Sequence, residues 1–332
     1  MDWTSIDAIA RLPKAELHAH LAGSVPASVV KELLQELADQ SSPAADTPLD
    51  LSVLSILKPV PSLTEYLKAW RLLDKLSRGQ VCLEQIFRSV LASFKADGVV
   101  YTEFRHSPLR VARLNDIPLE TALLWGIEAR ENAKSKVPGI DARLIFGIDP
   151  ARVDLAGIRG LLDAFKALGC PQQMVGIDVA GDEAGYPIGD DLTWAIREAS
   201  DELGLGVTIH AGETGPPENI RHAIEECRAT RIGHGLAAVR SRPLLDLIRQ
   251  RKVCLEICLR SNVLTGSVSS LDEHPVLTLI EHEIPFALCT DNPGVHAFSL
   301  SQECHQFYAL TGRADILETM FNRQIAHAFV GA

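Results

Sequence analysis

The sequence predicts a closed parallel (β/α)8 barrel, an α/β architecture, and three observations carry the prediction. Eight short apolar runs recur along the 332 residues, separated by longer amphipathic stretches. Hydrophobic residues make up 46% of the chain, enough for a large core. A doubly wound open sheet, the alternative, normally carries a Gly-rich phosphate loop after its first strand, and none stands here.

Taken in order, the expected strands are Glu16–Leu21, Val99–Phe104, Arg143–Ile148, Val175–Ala180, Val207–His210, Arg231–His234, Val253–Cys258 and Phe286–Thr290. Helical patterns fall between and after them, at Leu83–Lys95, Leu119–Ala133, Leu155–Leu168, Leu192–Leu203, Ile220–Arg228, Arg242–Arg249 and Pro275–His282. One insertion interrupts the rhythm after the first strand. A helix over Ala27–Leu37 leads to the turn-rich linker Gln40–Pro48, then to an apolar segment over Leu51–Ser62 and a helix through Tyr66 and Trp70. Its place at a barrel mouth suits a helical lid over a substrate, and equally a loop packed on the barrel surface. No internal repeat or long linker divides the chain, so residues 1–332 read as one domain.

A formal charge of −11, with no run of Lys or Arg, argues against nucleic-acid and anionic-membrane partners. No stretch approaches the ~18 apolar residues of a membrane span, and the N-terminus lacks the pattern of a signal peptide. The seven cysteines are scattered without a C-x-x-C pair, which predicts neither disulfides nor a cysteine zinc site. These features fit a cytoplasmic enzyme.

The chemistry collects where strands should end. Val207-Thr-Ile-His-Ala-Gly-Glu213 runs an apolar strand into His210 and, three residues on, Glu213. Glu16-Leu-His-Ala-His20 places His18 and His20 on one strand face by alternation. Asp291 closes the last strand in Thr290-Asp291-Asn292. A single strand-end histidine is commonly a satisfied structural group; three with a carboxylate at corresponding places form a donor set for Zn2+ or a similar divalent metal. Glu213 and His234, the latter between Gly233 and Gly235, are placed as acid–base groups rather than ligands. Metal-assisted hydrolysis is the reaction class these residues imply.

These segments resemble the adenosine deaminase family of the amidohydrolase superfamily. The resemblance spans nearly the whole chain and rests on Pro13–His20, Val175-Gly-Ile-Asp-Val-Ala-Gly-Asp-Glu183, His210–Glu213, Arg231–Gly235, Ser261-Asn262 and Thr290-Asp291. It implies a TIM barrel with one zinc per chain and hydrolytic loss of ammonia from a 6-aminopurine nucleoside or base. Carried over by position, His18, His20, His210 and Asp291 bind the zinc. Glu213 protonates purine N1, and His234 orients the attacking hydroxide. Gly181 offers its backbone N–H to N3.

Two substrate positions depart from the family's usual pattern. Ala22 stands where an Asp commonly meets the ribose 5′-hydroxyl, which favours a 5′-substituted nucleoside or a base without ribose. Asn292 replaces an Asp that bonds N7, and its amide still donates an N–H. Ser107 is expected to line the pocket, with His106 as readily on the surface. Arg260 is expected to pair with a carboxylate. Two other readings stay open: an amidohydrolase acting on a non-purine C–N bond, and a zinc-binding signalling protein without catalysis.

Overall fold

The computed structural model describes residues 1–39, 54–183 and 188–329. Eight parallel strands form one sheet in chain order: β1 (Lys14–His20), β2 (Val99–His106), β3 (Asp141–Ile148), β4 (Met174–Val179), β5 (Gly206–Ala211), β6 (Arg231–His234), β7 (Cys254–Ile257) and β8 (Phe286–Leu288). Just past β8 the chain bridges back to β1, with Ala19 opposite Asp291. His20 N–H donates to the Asp291 carbonyl at 2.9 Å, and Asp291 N–H to the His18 carbonyl at 2.8 Å. The same residues that supply metal-type donors therefore join the two ends of the sheet.

Helices α1 (Gln80–Ala96), α2 (Leu119–Lys136), α3 (Leu155–Ala167), α4 (Asp190–Asp201), α5 (Pro217–Glu225), α6 (Arg242–Arg251), α7 (Val276–Glu281) and α8 (Leu300–Thr311) alternate with the strands. Their starts follow local chemistry. Asp154 and Ser241 cap α3 and α6, and Ser299 forms a capping box with Gln302 at α8. Every expected strand is present, its ends displaced by about two residues at most. Apolar packing such as Phe87 and Phe94 against Phe104 joins the helices to the barrel wall.

The barrel interior is unusual in being ionic. Glu16, Glu103, Arg105, Asp178, Arg231 and Glu256 are all buried there. Phe329 lies below them, against the backbones of Gly176 and Gly206 and 3.6 Å from the Arg231 guanidinium carbon.

Part of the insertion after β1, the linker Gln40–Pro48 and the start of the apolar segment, lies outside the described residues. The rest is a strap over the barrel mouth. Ile56 N–H reaches the Val295 carbonyl at 2.9 Å, and Val60 N–H the Leu264 carbonyl at 3.0 Å. Its own Leu54, Leu63, Tyr66 and Leu73 are buried, and Leu63, Tyr66 and Trp70 line the cleft, so the segment packs on the site and not on the barrel's outer face. All seven cysteines are free thiols. No described helix is long and apolar enough to cross a membrane.

Candidate metal centre and active site

Alternation along β1 puts Glu16, His18 and His20 on one face, and each has a separate task. The Glu16 carboxylate accepts from His18 N–H at 2.8 Å, and from the N–H and hydroxyl of Thr290 at 2.9 and 2.7 Å. It thus pins the ends of β1 and β8 together. His18 and His20 meet His210 from β5 and Asp291, one donor atom from each lying within 4.8 Å of all the others. Asp291 Oδ1 is 3.3 Å from His20 Nε2 and 3.7 Å from His18 Nε2. His20 Nε2 and His210 Nε2 are 3.2 Å apart.

The outer nitrogens of the imidazoles are committed. His18 Nδ1 lies 2.6 Å from Glu256 Oε2, and His210 Nδ1 lies 3.0 Å from Asp178 Oδ2. A carboxylate acceptor holds the proton on Nδ1 and leaves Nε2 a bare lone pair. His18 Nε2 is buried without a hydrogen-bond partner, an arrangement that costs free energy unless something coordinates it. Those two nitrogens, His20 Nε2 and one carboxylate oxygen match the donor chemistry of a divalent zinc-type ion. Arg105 neutralises the carboxylates behind them, donating to Asp178 at 3.0 Å and Glu256 at 2.5 Å. Burial pushes Asp178 up, but His210 and Arg105 outweigh it and bring it to about 2.

The close packing of this cluster needs a missing side chain at Gly233, which pairs with His210 across β5 and β6. A Cβ there would sit 2.9 Å from the His18 ring and 3.2 Å from His210 Cα. The next residue, His234, and Asp291 both have left-handed backbones, with φ of 62° and 63°. Such conformations cost on the order of 1–3 kcal/mol and persist where surrounding structure enforces them, typically at sites of chemistry.

His234 is a neutral imidazole whose proton position follows from a chain of bonds. Val276 N–H donates to His274 Nδ1 at 3.1 Å, leaving the His274 proton on Nε2, 3.2 Å from Asn262 Oδ1. Asn262 Nδ2 then donates to His234 Nδ1 at 3.1 Å, so Nε2 carries the His234 proton. Burial, and then His18 and His210, hold its pKa well below the usual histidine range. His234 Nε2 is 3.6 Å from Glu213 Oε2. Glu213 Oε1 accepts from Thr265 and Ser267 hydroxyls at 3.1 and 3.0 Å. Burial, reinforced by the charge of Asp291, raises the Glu213 carboxyl to about 7.

His20, His210, Asp291, Glu213 and His234 face a cleft of about 1050 Å3, also lined by Ala22, Gly181, Asn292, Ser107 and the strap residues Tyr66 and Trp70, with His18 buried behind it. Trp70 meets the His20 ring edge-on at 5.5 Å, and the Tyr66 hydroxyl is 2.7 Å from His296 Nε2. The structure therefore brings the candidate residues together, in the donor cluster and the cleft beside it. Two neighbouring expectations are corrected. His106 is buried, 4% exposed, because the last residues of β2 lie under α2 beside Gly126. The Arg260 guanidinium goes to the Leu57 carbonyl at 3.0 Å; it is the backbone N–H of Arg260 that meets Glu303.

The model of the adenosine deaminase family matches residues 13–324. The chain belongs to the adenosine deaminase family. A Salmonella heidelberg adenosine deaminase is 31% identical over 296 residues, covering 89% of this chain and 86% of that protein. An Arabidopsis thaliana N6-methyl-AMP deaminase superposes with a TM-score of 0.81 at 27% identity, covering 98% of this chain and 95% of that one. A Burkholderia ambifaria amidohydrolase with bound zinc superposes at 0.84 with 25% identity, covering 97% and 87%. As a member of the adenosine deaminase family, the protein is a hydrolytic deaminase of the amidohydrolase type, and its clustered donors could hold a metal ion as that zinc-bound relative does.

Proposed function

We propose that the protein is a single-domain, zinc-dependent deaminase of a 6-aminopurine, acting on adenosine or a 5′- or N6-modified adenosine to give the inosine-type product. The observation that carries this reading is a buried carboxyl group beside a buried imidazole. Glu213, raised to about 7, lies 3.6 Å from His234 and opens on the same cleft as the four-donor cluster. The names of the Salmonella and Arabidopsis relatives support the purine.

In this scheme His18, His20, His210 and Asp291 would hold one zinc, which would supply Lewis acidity to a water molecule. The chain's own residues do the rest. Glu213 in its protonated form delivers its proton to N1 as water adds to C6, and this removes the ring's aromatic resistance to attack. His234 Nε2–H donates to the oxygen that gains charge at C6. The proton lost by the attacking water returns through the Glu213 carboxylate to the amino group, which departs as ammonia. Gly181 N–H and Asn292 Nδ2–H hold N3 and N7, fixing the ring's orientation. The strap with Tyr66 and Trp70 covers the bound ring and limits solvent.

Ala22 offers no hydrogen bond to a 5′-hydroxyl, and an apolar wall discriminates weakly against a substituent there. Ammonia release from adenosine, 2′-deoxyadenosine, 5′-methylthioadenosine, AMP, adenine and N6-methyladenosine tests the proposal with zinc-loaded protein. Turnover of any of them supports the mechanism, and their ranking identifies the substituent. Silence across the panel with zinc bound would remove the purine and leave an amidohydrolase of another C–N bond.

A further inference from the structure

Glu183 reaches from the loop after β4 to the loop after β5 and gathers five donors there. Its Oε2 accepts from Gly212 N–H at 2.6 Å and from Asn219 Nδ2 at 3.1 Å. Its Oε1 accepts from the backbone N–H groups of Glu213, Thr214 and Gly215 at 2.6, 3.0 and 3.3 Å. Four successive amides converging on one anion form a nest, and Gly212 makes the turn possible with φ of 70°. A Cβ on Gly212 would also meet the Ile220 side chain at 2.5 Å. Charge-assisted bonds of this kind are roughly twice as strong as neutral ones, so the nest is rigid while its anion is in place.

We infer that Glu183 is a positioning residue that fixes the Glu213 carboxyl relative to the substrate ring. It lies two residues beyond Gly181, so one side chain sets the separation of the two groups that read N1 and N3. The inference rests on the proposed role of Glu213 as proton donor. Without the anion, the amides of residues 212–215 lose their common acceptor and turn toward water. Glu213 then moves, and a displacement of about 1 Å in a reacting group costs on the order of 10²-fold in rate.

Glu183→Ala empties the nest while leaving room for a small carboxylate; Glu183→Gln fills the space but presents an amide N–H2 to N–H donors. With the best nucleoside of the panel, both variants are expected to lose about 10²-fold in kcat with KM changed less than about threefold and zinc content unchanged. Added formate is expected to restore kcat saturably in Glu183→Ala, and not in Glu183→Gln or in Glu213→Gln. Near-parent kcat in both Glu183 variants, with Glu213→Gln inactive, overturns the inference and leaves the proton donor intact. Loss of kcat in Glu183→Ala that formate does not reverse, together with lost zinc or a collapsed Tm, also overturns it in favour of simple structural support. Full activity in Glu213→Gln removes the proton donor itself, and the inference with it.

Discussion

His274 determines which nitrogen of His234 carries the proton, acting through Asn262 between them. The chain of bonds starts at a backbone N–H, that of Val276, which can only donate, so every later proton position follows. The result is an Nε2–H in the cleft beside Glu213. His274→Leu leaves Asn262 free to invert its amide and return the proton to His234 Nδ1. The expected outcome is a fall in kcat of about 10-fold or more, with zinc content and KM nearly unchanged. Steady-state kinetics beside a metal assay check it, and an unchanged kcat would show that the tautomer is set elsewhere.

The raised pKa of Glu213 gives a direction to both activity and stability. In the proposed mechanism the neutral acid donates the proton, so kcat/KM is expected to fall as pH rises through about 7, and Glu213→Gln should lose most activity at every pH. Folding favours the neutral form, because the folded pKa lies above the ordinary value of 4.5. That contribution is complete below about 4.5 and is lost as pH rises through about 7. At pH 8 the metal-free parent should therefore be less stable than metal-free Glu213→Gln, by at most roughly 3 kcal/mol. Urea melts of the two proteins at pH 5 and pH 8 measure this; a gap that does not widen with pH contradicts the assignment.

Beneath the donors, Glu256 serves three donors at once. It meets His18 at 2.6 Å, Arg105 at 2.5 Å and Arg231 at 2.7 Å, all within the barrel and shielded from solvent. Glu256→Gln keeps the shape but weakens the acceptor that fixes His18, and metal affinity is expected to drop about 10- to 100-fold. Removing Arg105 instead leaves Asp178 with only the His210 imidazole and Glu256 with Arg231 as its one remaining arginine, a loss of about 3–5 kcal/mol of stability. Competition with a chelator reads the first effect and thermal melting the second. Equal metal retention in Glu256→Gln and parent would detach this carboxylate from the centre.

The parts of this site legible in the sequence are those written as local patterns. A His-x-His on an alternating strand, and strand ends at His210, His234 and Asp291, marked both the barrel and its functional face. The supporting layer was not legible. Asp178 and Glu256 sit singly inside apolar runs, with nothing local to say that they would meet histidines from other strands. A charge embedded in a buried strand was the available signal, since such a group needs a partner. Thr265 and Ser267, which bond Glu213, lie in a loop whose path depends on Gly266 at φ of 76° and its contact with the strap. His106 carried no local signal that would decide its place; it is buried because α2 covers it.

Ala22 offers the most direct test of what the cleft admits. It is 6% exposed, just past β1, and its neighbour Gly23 packs so closely on Asn292 that a Cβ there would lie 1.8 Å from Asn292 Oδ1. The wall at this point is therefore tight, and its apolar face asks nothing of a ligand. Ala22→Asp adds an acceptor that a free 5′-hydroxyl satisfies and a 5′-thioether leaves buried and unpaired. An unmet buried carboxylate costs more than a missing neutral bond, so discrimination comes mainly from rejection of the wrong substrate. The ratio of kcat/KM for adenosine to that for 5′-methylthioadenosine is expected to rise at least about 10-fold in Ala22→Asp, a change near 1.4 kcal/mol. Measuring both substrates with one enzyme preparation removes the effect of any general loss of activity. An unchanged ratio would place the 5′ substituent away from Ala22, and specificity would have to be sought along the strap.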